Sequence, residues 1–104
     1  MKKDPGVALE VAKIFKLIKE LSPGKAVEFR VPPYGAIQCG EGPIHRRGLP
    51  SNQVEMSADT LIHLAINPES WSGLIDQGQI RSSGLVSDLS NLFTQVSTKY
   101  QARI

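Results

Sequence analysis

The spacing of the hydrophobic residues changes once near the start of the chain, and this change constrains the fold more than any other feature. Over residues 7–21 the apolar side chains recur at helical spacing: Val7, Val11, Ile14, Ile18 and Leu21. Over residues 27–31 they alternate with polar side chains, which is the period of a half-buried strand. A helix and a strand that share one apolar surface are typical of a two-layer domain.

The same reasoning predicts the elements that follow. Short strands are expected at three places that are separated by glycine- and proline-rich turns: 35–40, 53–56 and 79–83. Helices are expected at 58–66, around 71–75 and from Ser87 or Asp88 onward, and the tail 97–104 is expected to fray. This order predicts an α+β, two-layer domain, in which a small, mostly antiparallel sheet is covered on one face by helices.

Length and composition narrow the classes of protein. A chain of 104 residues suits one domain over 1–104. Its net charge of +2 comes mainly from residues 1–30, which is weak support for a nucleic-acid partner, and we expect none. A single cysteine excludes an internal disulfide and favours a cytoplasmic location. No apolar run approaches the roughly 20 residues that span a bilayer, and the start lacks the apolar core of a signal peptide.

The loop over residues 40–50, GEGPIHRRGLP, gathers His45, Arg46 and Arg47 close to the single cysteine, Cys39. A shaped structural turn is the first interpretation, and an anion contact through the arginines and the glycine backbone is the second. A Cys39–His45 nucleophile pair is the third, because strand alternation predicts that Cys39 is a small buried hydrophobe beside Ile37. One cysteine and two histidines lack zinc-site spacing, so we expect no metal and no cofactor.

A resemblance to the sterol carrier protein family, in its small bacterial branch, covers about residues 26–93. It is carried by three segments: VEFRVPPYGAIQC, GPIHRRGLPSNQVE and ADTLIHLAINPESWSGLIDQGQIRSSGLVSDLSNLF. The first two are similar to the RVPP strand end, the QC pair and the GPxHxRG loop of that branch. In the third, Gly78, Ile80 and Gly84 occupy the positions of the G-x-I/L-x-x-x-G strand of the family.

The resemblance implies a small curved sheet with helices on one side and an apolar cavity between the two layers. Members of the family bind or carry lipids, sterols or fatty acyl groups without covalent chemistry. Carried over by position, the residues that would line the cavity, here called the wall residues, are Leu61, Leu64, Trp71, Leu74, Leu89 and Phe93. The loop match singles out His45 and Arg47 as head-group contacts.

We therefore expect a non-enzymatic protein that binds a lipid, a fatty acyl group or another apolar or amphiphilic small molecule. The residues themselves leave alternatives open, because the wall residues could equally fill an ordinary core. The domain would then be a protein-interaction or regulatory module without a ligand, which acts through the sheet edge or the first helix. The lysines of that helix also suit contact with an anionic membrane surface. An enzyme, or an accessory domain of one, that depends on Cys39 is the remaining hypothesis.

Overall fold

A computed structural model describes residues 3–42, 52–84 and 87–102, and in these ranges four α-helices and four strands form two layers. Their order along the chain is α1 (Pro5–Leu21), β1 (Val27–Val31), β2 (Gly35–Cys39), β3 (Asn52–Met56), α2 (Ala58–Ile66), α3 (Trp71–Asp76), β4 (Ile80–Ser83) and α4 (Ser90–Gln101). A single 3₁₀ turn, Pro68–Ser70, leads into α3. The architecture confirms the predicted α+β class.

The four strands form one mixed sheet in the order β2-β1-β3-β4. β1 pairs with β2, and β3 with β4, in the antiparallel sense, whereas the central pair β1 and β3 is parallel. In this register Phe29 lies opposite both Ile37 and Val54. The sheet is therefore mostly antiparallel, as expected, with one parallel pairing at its centre.

The two faces of the sheet differ in chemistry because side chains alternate along each strand. The inward face is buried beneath the helices and is apolar in its central strands: Val27, Phe29, Val31, Val54 and Met56. On the outward face Arg30 lies 3.6 Å from Glu28 and 3.8 Å from Glu55, and Arg81 lies 3.0 Å from Glu55. This confirms that helices cover one face of the sheet, and the structure adds that the other face carries charged side chains.

Side-chain caps fix the starts of two helices. The Asp4 carboxylate accepts the N–H groups of Gly6 and Val7 at 2.8 and 3.1 Å, so α1 begins at Pro5, two residues before the expected position. The Asp4 N–H itself donates to the Tyr34 hydroxyl at 3.0 Å, which joins the start of α1 to the β1–β2 turn. Ser57 accepts the N–H of Thr60 at 3.2 Å and caps α2, which begins at the expected residue, Ala58.

The last helix differs from the sequence expectation at both ends. It begins at Ser90, whose N–H donates to the Asp88 carboxylate at 2.9 Å, so neither Ser87 nor Asp88 is within it. Of the tail 97–104 that was expected to fray, residues 97–101 are helical, and residues 103–104 lie outside the described residues. The reason is packing, since Ser97 and Tyr100 are both buried against the rest of the domain. None of the described helices combines the length and the apolar character that crossing a bilayer requires.

Candidate functional site

Five of the six wall residues meet in one apolar cluster between the sheet and the helices. Leu61 and Leu64 come from α2, Trp71 comes from α3, Leu89 precedes α4, and Phe93 lies within it. Leu61, Leu64 and Phe93 have no exposed surface, whereas Trp71 and Leu89 are 6% and 7% exposed. The sixth, Leu74, is half-buried at the margin of this cluster. The sequence thus identified residues that lie together, and here their side chains pack as core.

Four aromatic rings form a row through this interior. Trp71 stacks on Phe93 with ring centres 5.9 Å apart, and Phe93 lies 6.0 Å from Phe29 of the sheet. The row ends at Phe15 of α1, whose ring meets Phe29 edge-on at 6.1 Å. Such distances are those of favourable aromatic pairs. The row connects α3 on one side of the domain with α1 on the other, and it consists of side chains without charge.

A surface depression of about 570 Å³ opens between α2 and α3, beside the wall residues. Its rim is polar and includes Asp59, His63 and Ser70, and the His63 Nε2 atom lies 3.2 Å from the Ser70 hydroxyl oxygen. Leu74 supplies an apolar part of its lining. Small-molecule sites are usually lined mainly by apolar side chains, whereas Leu74 is the one large apolar side chain among the described residues that line this depression.

Cys39 lies on the inward face of β2, as strand alternation predicted, and its side chain is fully buried. Burial raises the pKa of the Cys39 thiol to about 11. A nucleophilic cysteine needs the opposite shift, toward the thiolate at neutral pH. His45 and Arg47, the predicted head-group contacts, lie outside the described residues, as does Arg46. Within the described ranges, no group of three or more His, Cys, Asp or Glu side chains could hold a metal ion.

A second surface feature, the α1–β2 groove, did not emerge from the sequence. It has a volume of about 490 Å³ and is lined by residues of one helix face and one strand: Ala12, Phe15, Lys16, Lys19, Glu20 and Ile37. Phe15 and Ile37 are half-buried and form its apolar floor, while the two lysines are exposed. The only sequence signal for it was that Phe15 widens the apolar stripe of α1 beyond the core-facing positions.

Comparison with models of known families places these features in context. Residues 4–94 match the family described as "Bacterial SCP ortholog", whereas no curated protein matches the sequence. The matched segment begins at the Asp4 cap of α1 and includes all six wall residues as well as the loop with His45 and Arg47. Since the match covers most of the 104 residues, the chain belongs to this small bacterial sterol-carrier-like family.

Proposed function

We propose that this protein binds a lipid, a fatty acyl group or another apolar ligand between its sheet and its helices, without covalent chemistry and in the cytoplasm. Membership of a sterol-carrier-like family supports ligand carriage. The apolar interior built by the wall residues supports a binding site between the sheet and the helices. Each buried methylene group of such a ligand contributes roughly 0.8 kcal/mol, so even a short acyl chain gains appreciable affinity from this interior.

The observation that carries the proposal is the position of α3. This helix has six residues, and Trp71 is its only buried residue. Trp71 stacks on Phe93 inside the domain, and Leu74, one turn later, lines the depression at the surface. Short elements with few buried contacts open at lower free energy than the rest of a fold. Displacing α3 would therefore connect the depression with the apolar interior at Phe93.

Trp71 is the only tryptophan of the chain, so its fluorescence reports on this region without labelling. The protein is first unfolded, freed of lipid and refolded, and dodecanoic acid is then titrated in. We expect a saturable change in emission, because a ligand beside the Trp71–Phe93 stack alters the surroundings of the indole ring. Native mass spectrometry of protein that has not been stripped should show the mass of a bound lipid.

Two substitutions separate specific binding from general adsorption. Leu74→Glu places a charge at the depression and should weaken dodecanoic acid binding about tenfold or more. Leu9→Glu is the matched control, because Leu9 is 63% exposed on α1, away from the depression, and should leave the affinity unchanged. The proposal would be contradicted if the Trp71 emission stayed unchanged at the highest dodecanoic acid concentration and native mass spectrometry of the unstripped protein showed no bound lipid.

A second candidate function is that of a protein-interaction module without a ligand. The observation that favours it is the complete burial of Leu61, Leu64 and Phe93, whose side chains already occupy the space between the layers. The lipid titration discriminates between the two, since a module of this kind would show no saturable Trp71 response. A reaction that depends on Cys39 is disfavoured by the burial of its thiol and by the raised pKa.

A further inference from the structure

β2 is the edge strand of the sheet, and the described residues place no further strand beside it. Natural proteins protect such edges with charged side chains, prolines or very short strands. The opposite edge, β4, follows this rule, because it has only four residues and carries the exposed Arg81. β2 has five residues, GAIQC, with neither a charge nor a proline among them. Among the described residues, β2 is therefore the edge strand that carries the fewer protective features.

The α1–β2 groove runs along this edge. A side-chain carbon placed on Gly35, the first residue of β2, would lie 3.8 Å from the Phe15 ring. Just beyond the other end of the strand, the Gly40 N–H donates to the Ser22 carbonyl, which follows α1, at 2.9 Å. The helix and the strand thus lie side by side and run in the same direction. The backbone of an added strand would pair with the backbone of β2, and its inward side chains would contact the apolar floor and the lysines of the groove.

We propose that this edge accepts an extended peptide segment of a partner protein, which pairs with β2 and presents an apolar and an acidic side chain to the groove. The apolar side chain packs on Phe15 and Ile37, and the acidic side chain meets Lys19 or Lys16. Added strands gain affinity from main-chain hydrogen bonds and specificity from alternate side chains. This interaction lies outside the lipid site at α3 and does not depend on it.

The spacing of the groove sets the pattern of the peptide. Phe15 and Lys19 are four residues apart on α1, which corresponds to about 6 Å along the helix. Side chains on the same face of a strand are two residues apart, or about 7 Å. An apolar residue and an acidic residue separated by one position therefore reach Phe15 and Lys19 together. The residue between them points to the other face of the sheet, beside Ala36 and Gln38.

Charge favours this occupant over a second copy of the chain. If two copies paired through β2, their α1 helices would face each other across the seam with Lys16 and Lys19 on both sides. Each copy contributes two lysines and one glutamate to the lining of the groove, so the two facing surfaces have the same sign. Like charges at an interface oppose association, whereas an acidic segment complements them.

The probe is a fluorescein-labelled, end-capped peptide, Val-Thr-Glu-Thr-Val-Thr-Glu, which places valine and glutamate on one face and threonine on the other. Its control has lysine in place of each glutamate. We expect the acidic peptide to bind, the lysine peptide to bind at least about tenfold more weakly, and added salt to weaken the acidic peptide. Amide hydrogen exchange should show slower exchange in residues 35–39 when the acidic peptide is bound, because an added strand bonds to that edge.

The test variant carries Lys16→Glu and Lys19→Glu together. The control is Lys99→Glu in α4, because Lys99 is exposed and does not line the groove. The affinity of the double variant for the acidic peptide should fall at least about tenfold, and the affinity of Lys99→Glu should be unchanged. Unchanged circular dichroism and melting temperature show that each variant is folded.

Several results would overturn the proposal. These are the absence of binding at millimolar peptide, equal binding of the lysine peptide, and binding without slower exchange in residues 35–39. If exchange in residues 35–39 slows on self-association but not with the peptide, the edge binds a second copy of the chain. If it slows with dodecanoic acid but not with the peptide, the edge binds a lipid. The Trp71 titration is a separate readout, so the failure of one proposal is distinguishable from the failure of the other.

Discussion

The Tyr100 hydroxyl in the last turn of α4 donates a hydrogen bond to the Glu10 carboxylate of α1. Burial, together with the hydrogen bond to Glu10, raises the pKa of Tyr100 to about 12. The same contact, aided by Lys13, lowers the pKa of Glu10. Two residues separated by most of the chain thus join the first helix to the last, and this bond adds to the packing of Ser97 and Tyr100 that keeps α4 helical as far as Gln101.

This contact predicts a loss of stability at alkaline pH. Because the folded pKa of Tyr100 is raised above its ordinary value of 10, its contribution is complete below about pH 10 and is lost as the pH rises through 12. The difference in free energy of unfolding between the wild type and Tyr100→Phe should therefore be constant from pH 8 to 10 and shrink above that. Urea unfolding at each pH measures this difference.

Glu10→Gln is the control for the alkaline prediction. It removes the carboxylate that accepts the Tyr100 hydrogen bond and helps to raise the pKa of Tyr100. The decrease in free energy of unfolding above pH 10 should therefore be smaller in this variant than in the wild type. Curves for the wild type and Tyr100→Phe that remain parallel up to pH 12 would show that Tyr100 titrates identically in the folded and unfolded states.

Cys39 should be protected from alkylation in the folded protein. Its thiol is buried and its pKa is raised to about 11, so both access and thiolate content are low at pH 7.4. We expect iodoacetamide to react about 100-fold more slowly with the folded chain than with the chain in denaturant. Mass spectrometry follows the reaction without ambiguity, because Cys39 is the only cysteine. Rapid labelling of the folded protein would restore the hypothesis of a reactive thiol.

Gly24 should tolerate no side chain. A side-chain carbon at this position would lie 1.9 Å from the Gly40 carbonyl oxygen, and the backbone has a φ of 138°. Gly24→Ala should therefore lower the free energy of unfolding by more than about 3 kcal/mol. Gly78→Ala is the control, because Gly78 also has a positive φ, of 74°, but has no atom within 4 Å of the added carbon. That variant should lose only about 1–2 kcal/mol, and equal losses would contradict the steric explanation.

Phe93 should contribute strongly to the stability of the interior. Phe93 is fully buried and contacts the rings of Trp71 and Phe29, so Phe93→Ala should cost roughly 3–5 kcal/mol in free energy of unfolding. The exposed Leu9 provides the comparison, and Leu9→Ala should change this free energy by less than about 0.5 kcal/mol. Denaturant unfolding measures both variants, and a small effect of Phe93→Ala would indicate a loosely packed interior.

Local signals in the sequence identified most elements of this fold. The caps at Asp4 and Ser57 are features that local sequence can indicate, because at both places a short polar side chain precedes a run of helical period and accepts N–H groups of the first turn. The alternation of Val27, Phe29 and Val31 identified a strand with one buried face. Each of these features depends on residues that are close in the chain, which is the range over which spacing is informative.

Features that depend on distant residues were not predictable in this way. The parallel pairing of β1 with β3 and the bond between Tyr100 and Glu10 join segments whose own sequences carry no trace of the partner. The wall residues show the same limit, because apolar spacing identifies side chains that meet without indicating whether they leave a space. The α1–β2 groove was missed because Phe15 and Ile37 become neighbours only when the helix lies along the strand.

The first helix is fastened at both of its ends, by the Asp4 N–H to the Tyr34 hydroxyl and by the Gly40 N–H to the Ser22 carbonyl. The two walls of the groove, α1 and β2, are thus held at a fixed separation in the absence of a bound peptide. Association at this surface should then be a single bimolecular step, with a rate that rises linearly with peptide concentration and reaches no plateau, because no prior rearrangement limits it.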